Sequence, residues 1–578
     1  MSSRASNAVH DESEPAIKTL KADWFWAILL LGVFAALSLG SAWQESATYD
    51  EPLHVLSGVA AWKTGQIDLD YSNPPLANYW QTLPLLALRF HSFPPPAQLL
   101  RTLYTDSFNF VHHNRYSLGW MLQAPRTMNV ILGLVLGAVL FRWARQALGE
   151  LSAIGTVFTY AFCPALLAYG HFATADLAGA LGWILFFYAA WRWKEAPSAR
   201  AAAMTGFALG LALCLKYSTL LTLPALAGIF AVEACGSHRA SLPHRSTVFK
   251  AIGLVFLGAN LVMICSFRGW GLPGWLHGFF KFTTLFKEGH LNYYEGYFNR
   301  TGWKSYFVTA FLLKTPMTFL AAVLTGGIGL QYITSSRRDF LLLWCLWPAA
   351  FLLSTSSLSN VQVGIRHILP VYPFLCLWIG GVMGTLWESG RRAVRAWVIL
   401  LGTGYLAGAA ATFPRYLSYF NELVVPSANG YHYFVDSNLD WGQGLKALGD
   451  YLQKKGSPKI YFSYFGCGDP GLYGIRFQPV LMATCADVGG QTDVSEEPVP
   501  EYFAVSATNR VGLYYEPHGV FAWLNQRNPV AIFMDSIWLY DLSRDAESRE
   551  RLRFLSNTQS MPASAKPMRS NNVPNLAG

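Results

Sequence analysis

The sequence predicts a polytopic α-helical membrane protein of about eleven spans with a C-terminal extracytoplasmic α/β domain. Three observations favour this class. Of the 578 residues, 52% are hydrophobic and only 13% are charged, whereas soluble proteins carry about a quarter charged residues. Up to residue 413, apolar runs recur whose lengths approach the roughly 20 residues that cross a bilayer. After residue 413 the apolar runs are shorter and are separated by turn-forming residues, as in a soluble α/β domain.

The apolar runs divide the chain into four parts. These are a cytoplasmic polar N-terminus over 1–23, a membrane domain over 24–413 with a first outer loop over 43–125, an outer domain over 414–545 and a loose tail over 546–578. Spans are expected near 24–42, 126–143, 151–169, 177–193, 201–215, 217–234, 251–267, 308–333, 340–357, 367–387 and 396–413. In the outer domain we expect an amphipathic helix over 445–455 and short buried strands over 459–465, 502–506, 530–534 and 537–542.

Lysine and arginine in alternate short loops set the orientation. Such residues lie before the first span and in every second loop after it, among them Lys18, Arg142, Arg192 and Arg337. Because cytoplasmic loops carry this excess, we expect a cytoplasmic N-terminus and an outer domain on the far side of an inner (plasma) membrane. The net charge of +9 follows from this arrangement. The basic residues form no single patch, so nucleic-acid binding has little support.

An acidic pair, Asp50 and Glu51, follows the first predicted span and is followed by Pro52. Adjacent carboxylates at the outer end of a span are what a membrane enzyme needs to take a proton from an incoming alcohol. Charges so close to hydrocarbon usually face a cavity, a partner or water. The pair could equally cap the helix that begins at the proline, and the run by itself leaves both interpretations open.

Basic residues on the predicted outer side are the second feature. Lys216 lies at the hinge between two short spans, Lys314 lies one turn inside an apolar run, and Arg366 with His367 opens the tenth span. An ammonium or guanidinium there could hold a lipid-linked phosphate. The alternatives are snorkelling to lipid headgroups and anchoring of a helix end.

The predicted outer face therefore carries carboxylates that could take a proton from a hydroxyl and cations that could hold a phosphate. Asp176 belongs to the same set of outer-face residues. This combination favours group transfer from a lipid phosphate. A lipid-linked saccharide flippase or transporter would place ionisable groups near mid-membrane instead. A membrane-anchored envelope receptor or scaffold would leave the acidic pair and Arg366 unexplained, and eleven spans are excessive for an anchor.

Other residues have two interpretations each. His54, one helical turn after Asp50, is either its hydrogen-bond partner or a plain helix-face histidine. Tyr293 and Tyr297 either stack on a sugar ring or belong to an interfacial aromatic belt. Asp436 and Asp440 bind sugar or metal, or cap the helix over 445–455.

Two cysteines, Cys467 and Cys485, are the only ones in the outer domain. An oxidising compartment allows them to pair, and the sequence leaves open whether they do. A metal is not expected, because no CxxC or histidine-rich cluster accompanies them.

Nine short segments resemble one family in their residues, order and sidedness. The chain is similar to glycosyltransferase family 39, the protein O-mannosyltransferase and lipid A aminoarabinose transferase group with the GT-C fold, and to its bacterial branch. The segments are 48–54, 73–76, 164–176, 289–296, 301–303, 313–316, 364–373, 419–422 and 436–443.

The resemblance implies an inverting transfer of a hexosyl or pentosyl group from a polyprenyl-phosphate donor to an acceptor hydroxyl on the outer face. The acceptor would be a protein, a lipid or a glycan. Asp50 would be the general base, Glu51 would orient it or the sugar, and Asp176 would hold the acceptor or a sugar hydroxyl. An apolar groove between spans would take the polyprenyl tail. The leaving phosphate would be neutralised by Lys216, Arg366 and His367, with Lys314 as a further candidate.

Two departures limit what the resemblance implies. Asn73 stands before the double proline, where family members often have histidine or lysine, and no family motif occurs from residue 459 onward. The sugar and the acceptor are therefore not predicted. Some GT-C enzymes use a divalent metal and others do not. Since the chain has carboxylates without a compact ligand set, we expect transfer without cofactor or metal, with a divalent metal as the alternative.

Overall fold

The computed structural model describes residues 13–90, 93, 100–235, 245–285, 287, 289–485 and 499–559. The polar N-terminus over 1–23 is predicted to be disordered; its residues 1–12 lie outside the described part, and the helix Ser13–Gln44 already begins within it. The end of the predicted loose tail also lies outside the described residues. The helices before residue 414 are Ser13–Gln44, Glu51–Thr64, Leu76–Gln81, Leu100–His112, Ala124–Leu148, Glu150–Ala161, Pro164–His171, Ala175–Glu195, Ala199–Leu215, Thr222–Cys235, Arg245–Ser266, Gly271–Leu285, Tyr306–Lys314, Met317–Gly329, Ser335–Phe340, Trp347–Ser356, Val371–Glu388 and Arg392–Thr412.

All eleven predicted spans are helical, but the number of spans is not confirmed. Six stretches in the described part of the chain are long and apolar enough to cross a membrane, and two pairs of helices, bent by 63° and 108°, bring the number to eight at most. The other three are Ala199–Leu215, which has only 17 residues, and the helices Ala175–Glu195 and Val371–Glu388. The last two are almost wholly buried in the bundle, so their glycines and tryptophans fill protein rather than face lipid.

The helix Val371–Glu388 crosses Glu150–Ala161 at very short range. A Cβ atom on Gly380 would overlap the side chain and backbone of Thr156. Small residues at such crossings allow backbones to approach closely, which is a common way to hold helices together in a membrane. This contact fixes the helix Val371–Glu388 against Glu150–Ala161, and with it the turn that precedes Val371.

The outer domain contains a five-stranded mixed sheet. Tyr502–Ser506 pairs in parallel with Ile460–Ser463 and antiparallel with Ile537–Asp541; Phe477–Pro479 and Ala531–Phe533 form the edges. The predicted amphipathic helix is confirmed as Leu445–Lys454, whose apolar face packs on the sheet. Short strands after residue 285 are Asn292–Tyr294, Tyr297–Asn299, Phe465–Gly466 and Ala483–Thr484, and Ala507–Val511 is a short helix.

The chain continues as a helix beyond the predicted end of the outer domain. The tail predicted to be loose from residue 546 begins instead with the helix Ala546–Gln559. Asp545 accounts for it, because its carboxylate accepts hydrogen bonds from the amide and the hydroxyl of Ser548 and pairs with Arg527 at 2.7 Å. This is the geometry of a capped helix N-terminus.

Cys467 and Cys485 form a disulfide, with their Cα atoms 5.2 Å apart. The disulfide packs against Phe108, Tyr49 and Tyr104 of the first outer loop. The outer domain is therefore attached to the loop that carries the acidic pair.

Candidate active site

Asp50 directly precedes the helix Glu51–Thr64, yet its side chain makes no capping hydrogen bond. Oδ2 of Asp50 instead accepts a hydrogen bond from Nη1 of Arg366 at 2.6 Å. The Asp50 side chain is 21% exposed, so the carboxylate is partly accessible. Of the two interpretations of Asp50, capping is excluded by this geometry.

Glu51 faces the other way and is fully buried. Arg126 binds it bidentately, with both N–O distances 2.7 Å, and the amides of Thr48 and Ala173 donate to it at 2.9 Å. Burial works to raise the pKa of Glu51, but Arg126 and these hydrogen bonds outweigh it, so the pKa is lowered. The predicted role of Glu51 in orienting the base or the sugar is therefore not supported, because its oxygens are occupied by the protein itself.

Arg366 lies on the turn Ile365–Ile368, just before the helix Val371–Glu388. Its guanidinium carbon is 4.5 Å from the centre of the Trp441 ring, which holds the planar group in place. Nε of Arg366 is buried and makes no hydrogen bond within the described part of the chain. The group is thus fixed on one side by Asp50 and Trp441 while it keeps unused donors.

Asp176 and Lys216 form the second ion pair of the site. Nζ of Lys216 lies 2.5 Å from Oδ1 of Asp176, and the hydroxyl of Thr174 donates to Oδ2 at 2.9 Å. A Cβ atom on Gly179 would lie 2.9 Å from Cδ of Lys216, so the absence of a side chain there makes room for the lysine stem. The Lys216 side chain is 16% exposed, so its ammonium group is partly accessible.

The two ion pairs are neighbours. Asp176 lies within electrostatic range of Arg366 and His367, and His367 lies within the same range of Lys216. Five of the predicted residues therefore meet at one place: Asp50, Asp176, Lys216, Arg366 and His367.

Lys314, a predicted phosphate ligand, lies elsewhere. It is buried, and its ammonium donates hydrogen bonds to the carbonyls of Leu417 (2.8 Å) and Asn438 and sits 4.5 Å above the Phe420 ring. These partners belong to the segment that enters the outer domain. The structure thus gives Lys314 a structural contact, because its donors are directed at backbone carbonyls.

The predicted substrate-lining residues also have other partners. His54 is buried and lies 3.1 Å from Oδ2 of Asp70, so it is not the partner of the Asp50 carboxylate. Tyr293 is buried in the hairpin of Asn292–Tyr294 and Tyr297–Asn299 and packs on Phe298. Tyr297 is 69% exposed at the tip. Neither tyrosine contacts the ion pairs in the described structure.

Residues that flank Lys216 in the sequence line an apolar cavity of about 370 Å³. Leu213 and Leu220, on either side of the lysine, line it together with Phe256, Met263 and Trp275 from the next helices. The cavity lies between helices of the membrane domain. The resemblance implied an apolar groove between spans but named no residues for it.

Three residues near the ion pairs were not predicted or were left open. Asp436 does not cap the helix Leu445–Lys454, which begins after Gly444; its charge acts on Arg366. Tyr514 donates a hydrogen bond to Asp436 at 3.0 Å, and the ring of His290 lies 6.3 Å from that of Tyr514. The resemblance marked the segment 436–443, but nothing in the sequence linked it to Tyr514.

Among the residues that the structure describes, no group of three or more His, Cys, Asp or Glu side chains is arranged to hold a metal ion.

A family model described as dolichyl-phosphate-mannose-protein mannosyltransferase matches residues 118–262, a segment that contains Asp176 and Lys216. This match confirms the resemblance over that segment. No curated protein sequence matches the chain.

Three solved structures are similar to this one. ArnT from Cupriavidus metallidurans in the apo state has 14% identity and a TM-score of 0.45 over 90% of this chain and 99% of that chain. The same protein bound to undecaprenyl phosphate has 14% identity and a TM-score of 0.43 over 89% and 97%. The archaeal oligosaccharyltransferase AglB from Archaeoglobus fulgidus, in complex with an inhibitory peptide and a dolichol-phosphate, has 10% identity and a TM-score of 0.42 over 85% and 70%. With its apolar helices, the chain is a multi-pass membrane protein similar to membrane glycosyltransferases.

Proposed function

We propose that the protein transfers a hexosyl or pentosyl group from a polyprenyl phosphate to an acceptor hydroxyl at the outer face, with inversion at the anomeric carbon. One observation carries the proposal: the pairs Asp50–Arg366 and Asp176–Lys216 adjoin each other, and the residues Leu213 and Leu220, which flank Lys216 in the sequence, line an apolar cavity. A carboxylate for a hydroxyl, cations for a phosphate and a groove for a hydrocarbon tail are the parts that this reaction requires.

In the proposed mechanism the donor phosphate binds between Arg366 and Lys216 and the polyprenyl chain enters the apolar cavity. Asp50 takes the proton of the acceptor hydroxyl, the acceptor oxygen forms a bond to the anomeric carbon, and the bond from that carbon to the phosphate oxygen breaks. The polyprenyl phosphate leaves with the additional negative charge. Arg366 and Lys216 stabilise that charge. Electrostatic stabilisation of this kind is typically the largest single contribution to catalysis. His367, which lies near Lys216, is the further proposed contact of the phosphate.

The proposal includes transfer without a metal, because two side-chain cations already stand where the phosphate charge develops. It also includes the predicted orientation, with the N-terminus in the cytoplasm and the site at the outer face of the inner membrane. Protein, lipid and glycan hydroxyls are all acceptors that the proposed chemistry accommodates.

The test uses purified protein in detergent with radiolabelled polyprenyl-phosphate sugars extracted from bacterial membranes. We expect wild-type protein to release polyprenyl phosphate and to transfer label when envelope fractions are added, and EDTA to leave the rate unchanged. A wild-type protein that binds undecaprenyl phosphate but turns over none of the donors would contradict the proposal. Movement of intact lipid-linked sugar across liposomes without transfer would favour a transporter.

A further inference from the structure

Asp436 begins the turn Asp436–Asn438, which is fastened to the turn that carries Arg366. The amide of Ile365 donates to the side-chain oxygen of Asn438 at 2.9 Å, and the hydroxyl of Ser437 donates to the carbonyl of Val363 at 2.6 Å. The hydroxyl of Tyr169 donates to the carbonyl of Ser437, also at 2.6 Å. The outer domain therefore places Asp436 at a fixed position relative to the candidate site.

The backbone of Asp436 is unusual, with a φ of +55°. This left-handed conformation is uncommon for residues other than glycine, although aspartate and asparagine tolerate it best. Strained backbone of this kind persists where the surrounding structure enforces it, and it is concentrated at functional sites.

The Asp436 carboxylate is 7% exposed but only partly satisfied. One oxygen accepts from the amide of Ser437 at 2.6 Å and the other from the hydroxyl of Tyr514 at 3.0 Å. Burial raises the pKa of Asp436, against the attraction of His290 and Arg366. Because each carboxylate oxygen can accept a second hydrogen bond, two acceptor positions remain.

Two groups within electrostatic range of Asp436 carry buried nitrogen atoms without partners among the described residues. Nδ1 of His290 and Nε of Arg366 are buried and have no hydrogen-bond partner within the described part of the chain. Buried polar atoms without partners are rare in proteins and call for an explanation. A bound molecule rich in hydroxyl groups would satisfy both kinds of group at once.

An aromatic wall connects this corner to Asp50. The Tyr514 ring stacks on Phe465 with centroids 5.7 Å apart, and Phe465 stacks on Tyr49, the neighbour of Asp50, at 5.0 Å. Tyr514 is 40% exposed, so the wall borders open space. Acceptors, donors and an apolar wall thus surround the region next to Arg366.

We propose that Asp436 is a specificity-determining residue that accepts hydrogen bonds from hydroxyl groups of the sugar being transferred, with Tyr514 and His290 completing the pocket. The inference rests on the proposed function, because the sugar is attached to the phosphate that Arg366 holds. Asp436 belongs to the outer domain, so this domain takes part in recognising the donor.

The test separates binding of the lipid phosphate from binding of the sugar. Dissociation constants are measured in detergent for undecaprenyl phosphate and for a panel of synthetic undecaprenyl-phosphate hexoses and pentoses, with the corresponding monodeoxy analogues. The variants are Asp436→Asn, which retains tolerance of the left-handed backbone, and Tyr514→Phe, which removes one hydroxyl. Thermal melting checks that each variant is folded.

For Asp436→Asn we expect undecaprenyl phosphate to bind within about twofold of wild type, and the preferred sugar-bearing donor to bind about 10- to 100-fold more weakly, the usual effect of losing a hydrogen bond to a charged group. Wild type should discriminate against one deoxy analogue by a similar factor, and Asp436→Asn should not. Tyr514→Phe should show a smaller loss for the sugar-bearing donor only.

Two results would overturn the inference alone: sugar-bearing donors that bind both variants as they bind wild type, or an equal loss for undecaprenyl phosphate and for sugar-bearing donors. If Asp436→Asn does not fold, the Tyr514→Phe result decides. If wild type does not bind undecaprenyl phosphate at all, the proposed function fails and the inference fails with it.

Discussion

Nη1 of Arg366 lies 2.6 Å from Oδ2 of Asp50, although the two residues are 316 positions apart in the chain. The pair joins the first outer loop to the turn before the helix Val371–Glu388. In the proposed reaction, one partner takes a proton and the other receives the phosphate. Their contact holds both side chains in position, and it also means that the donor phosphate must share Arg366 with Asp50.

Asp50→Asn is expected to lower turnover by about 10²- to 10⁴-fold, the usual contribution of a general base. The amide retains the shape of the carboxylate and accepts from Arg366, but it cannot take a proton. Initial rates of label release and the dissociation constant for undecaprenyl phosphate are measured together. The affinity should change little, because the variant still leaves Arg366 and Lys216 in place.

The matched control is Asp68→Asn, a substitution of an exposed aspartate in the same loop. Its turnover should equal that of wild type. If Asp50→Asn also turns over at the wild-type rate, Asp50 is not the base, and Asp176 becomes the next residue to replace.

Glu51→Gln is expected to destabilise the protein rather than to impair the chemistry. The substitution leaves the fully buried Arg126 without its charged partner, and breaking a buried ion pair typically costs about 3–5 kcal/mol. The melting temperature in detergent should fall clearly, while turnover per folded molecule stays near that of wild type. A normal melting temperature with lost turnover would return Glu51 to the catalytic residues.

The contrast between Asp50 and Glu51 shows what the sequence could predict. Topology alone brought Asp50, Asp176, Lys216, Arg366 and His367 together, because each lies at the outer end of a predicted span. Topology could not show which of the two adjacent carboxylates, Asp50 or Glu51, faces the candidate site. The partner of Glu51 is Arg126, which lies 75 positions away at the start of another span.

Other features could not be predicted for the same reason, namely that they depend on contacts formed only in the tertiary structure. The partners of Lys314 are backbone carbonyls, which leave no pattern in a sequence. Helices buried on most sides, such as Val371–Glu388, resemble spans in composition but face protein, so the predicted number of eleven spans is not confirmed. The contact between Asp436 and Tyr514 depends on the tertiary fold of the outer domain, where no family motif was available.

Lys216→Met and Lys314→Met are expected to change different properties: the first the affinity for the lipid phosphate, the second the stability of the protein. Loss of the Lys216 ammonium should weaken binding of undecaprenyl phosphate by about 10- to 100-fold, as expected for a hydrogen bond to a charged group. Lys314→Met should leave that affinity unchanged and lower the melting temperature, because two carbonyls lose their donor.

Lys216→Arg serves as the rescue variant for this pair, since it restores a cation beside Asp176. Affinities are measured by competition with a radiolabelled polyprenyl phosphate, and melting temperatures are measured on the same samples. Equal affinities for Lys216→Met and wild type would remove Lys216 from the phosphate site. A loss of affinity in a normally stable Lys314→Met would place Lys314 back in it.

The outer domain should become less stable as the pH rises from about 4 to 7, because of Asp440. This residue is fully buried; one oxygen accepts from the amide of Thr508 at 2.9 Å, and the other has no partner among the described residues. Burial raises the pKa of the Asp440 carboxyl to about 7, whereas an unfolded chain has a value near 3.9. Between these values the folded state holds more protons than the unfolded state, so the free energy of unfolding falls as the pH rises.

The amide side chain in the variant Asp440→Asn cannot titrate, so the substitution should flatten the pH dependence and make the protein more stable than wild type at pH 8. Melting curves at pH 4.5, 6 and 8 measure this, with Asp450→Asn, an exposed position on the helix Leu445–Lys454, as the control. Identical pH dependence in wild type and Asp440→Asn would show that Asp440 is ionised in the folded protein at all of these pH values.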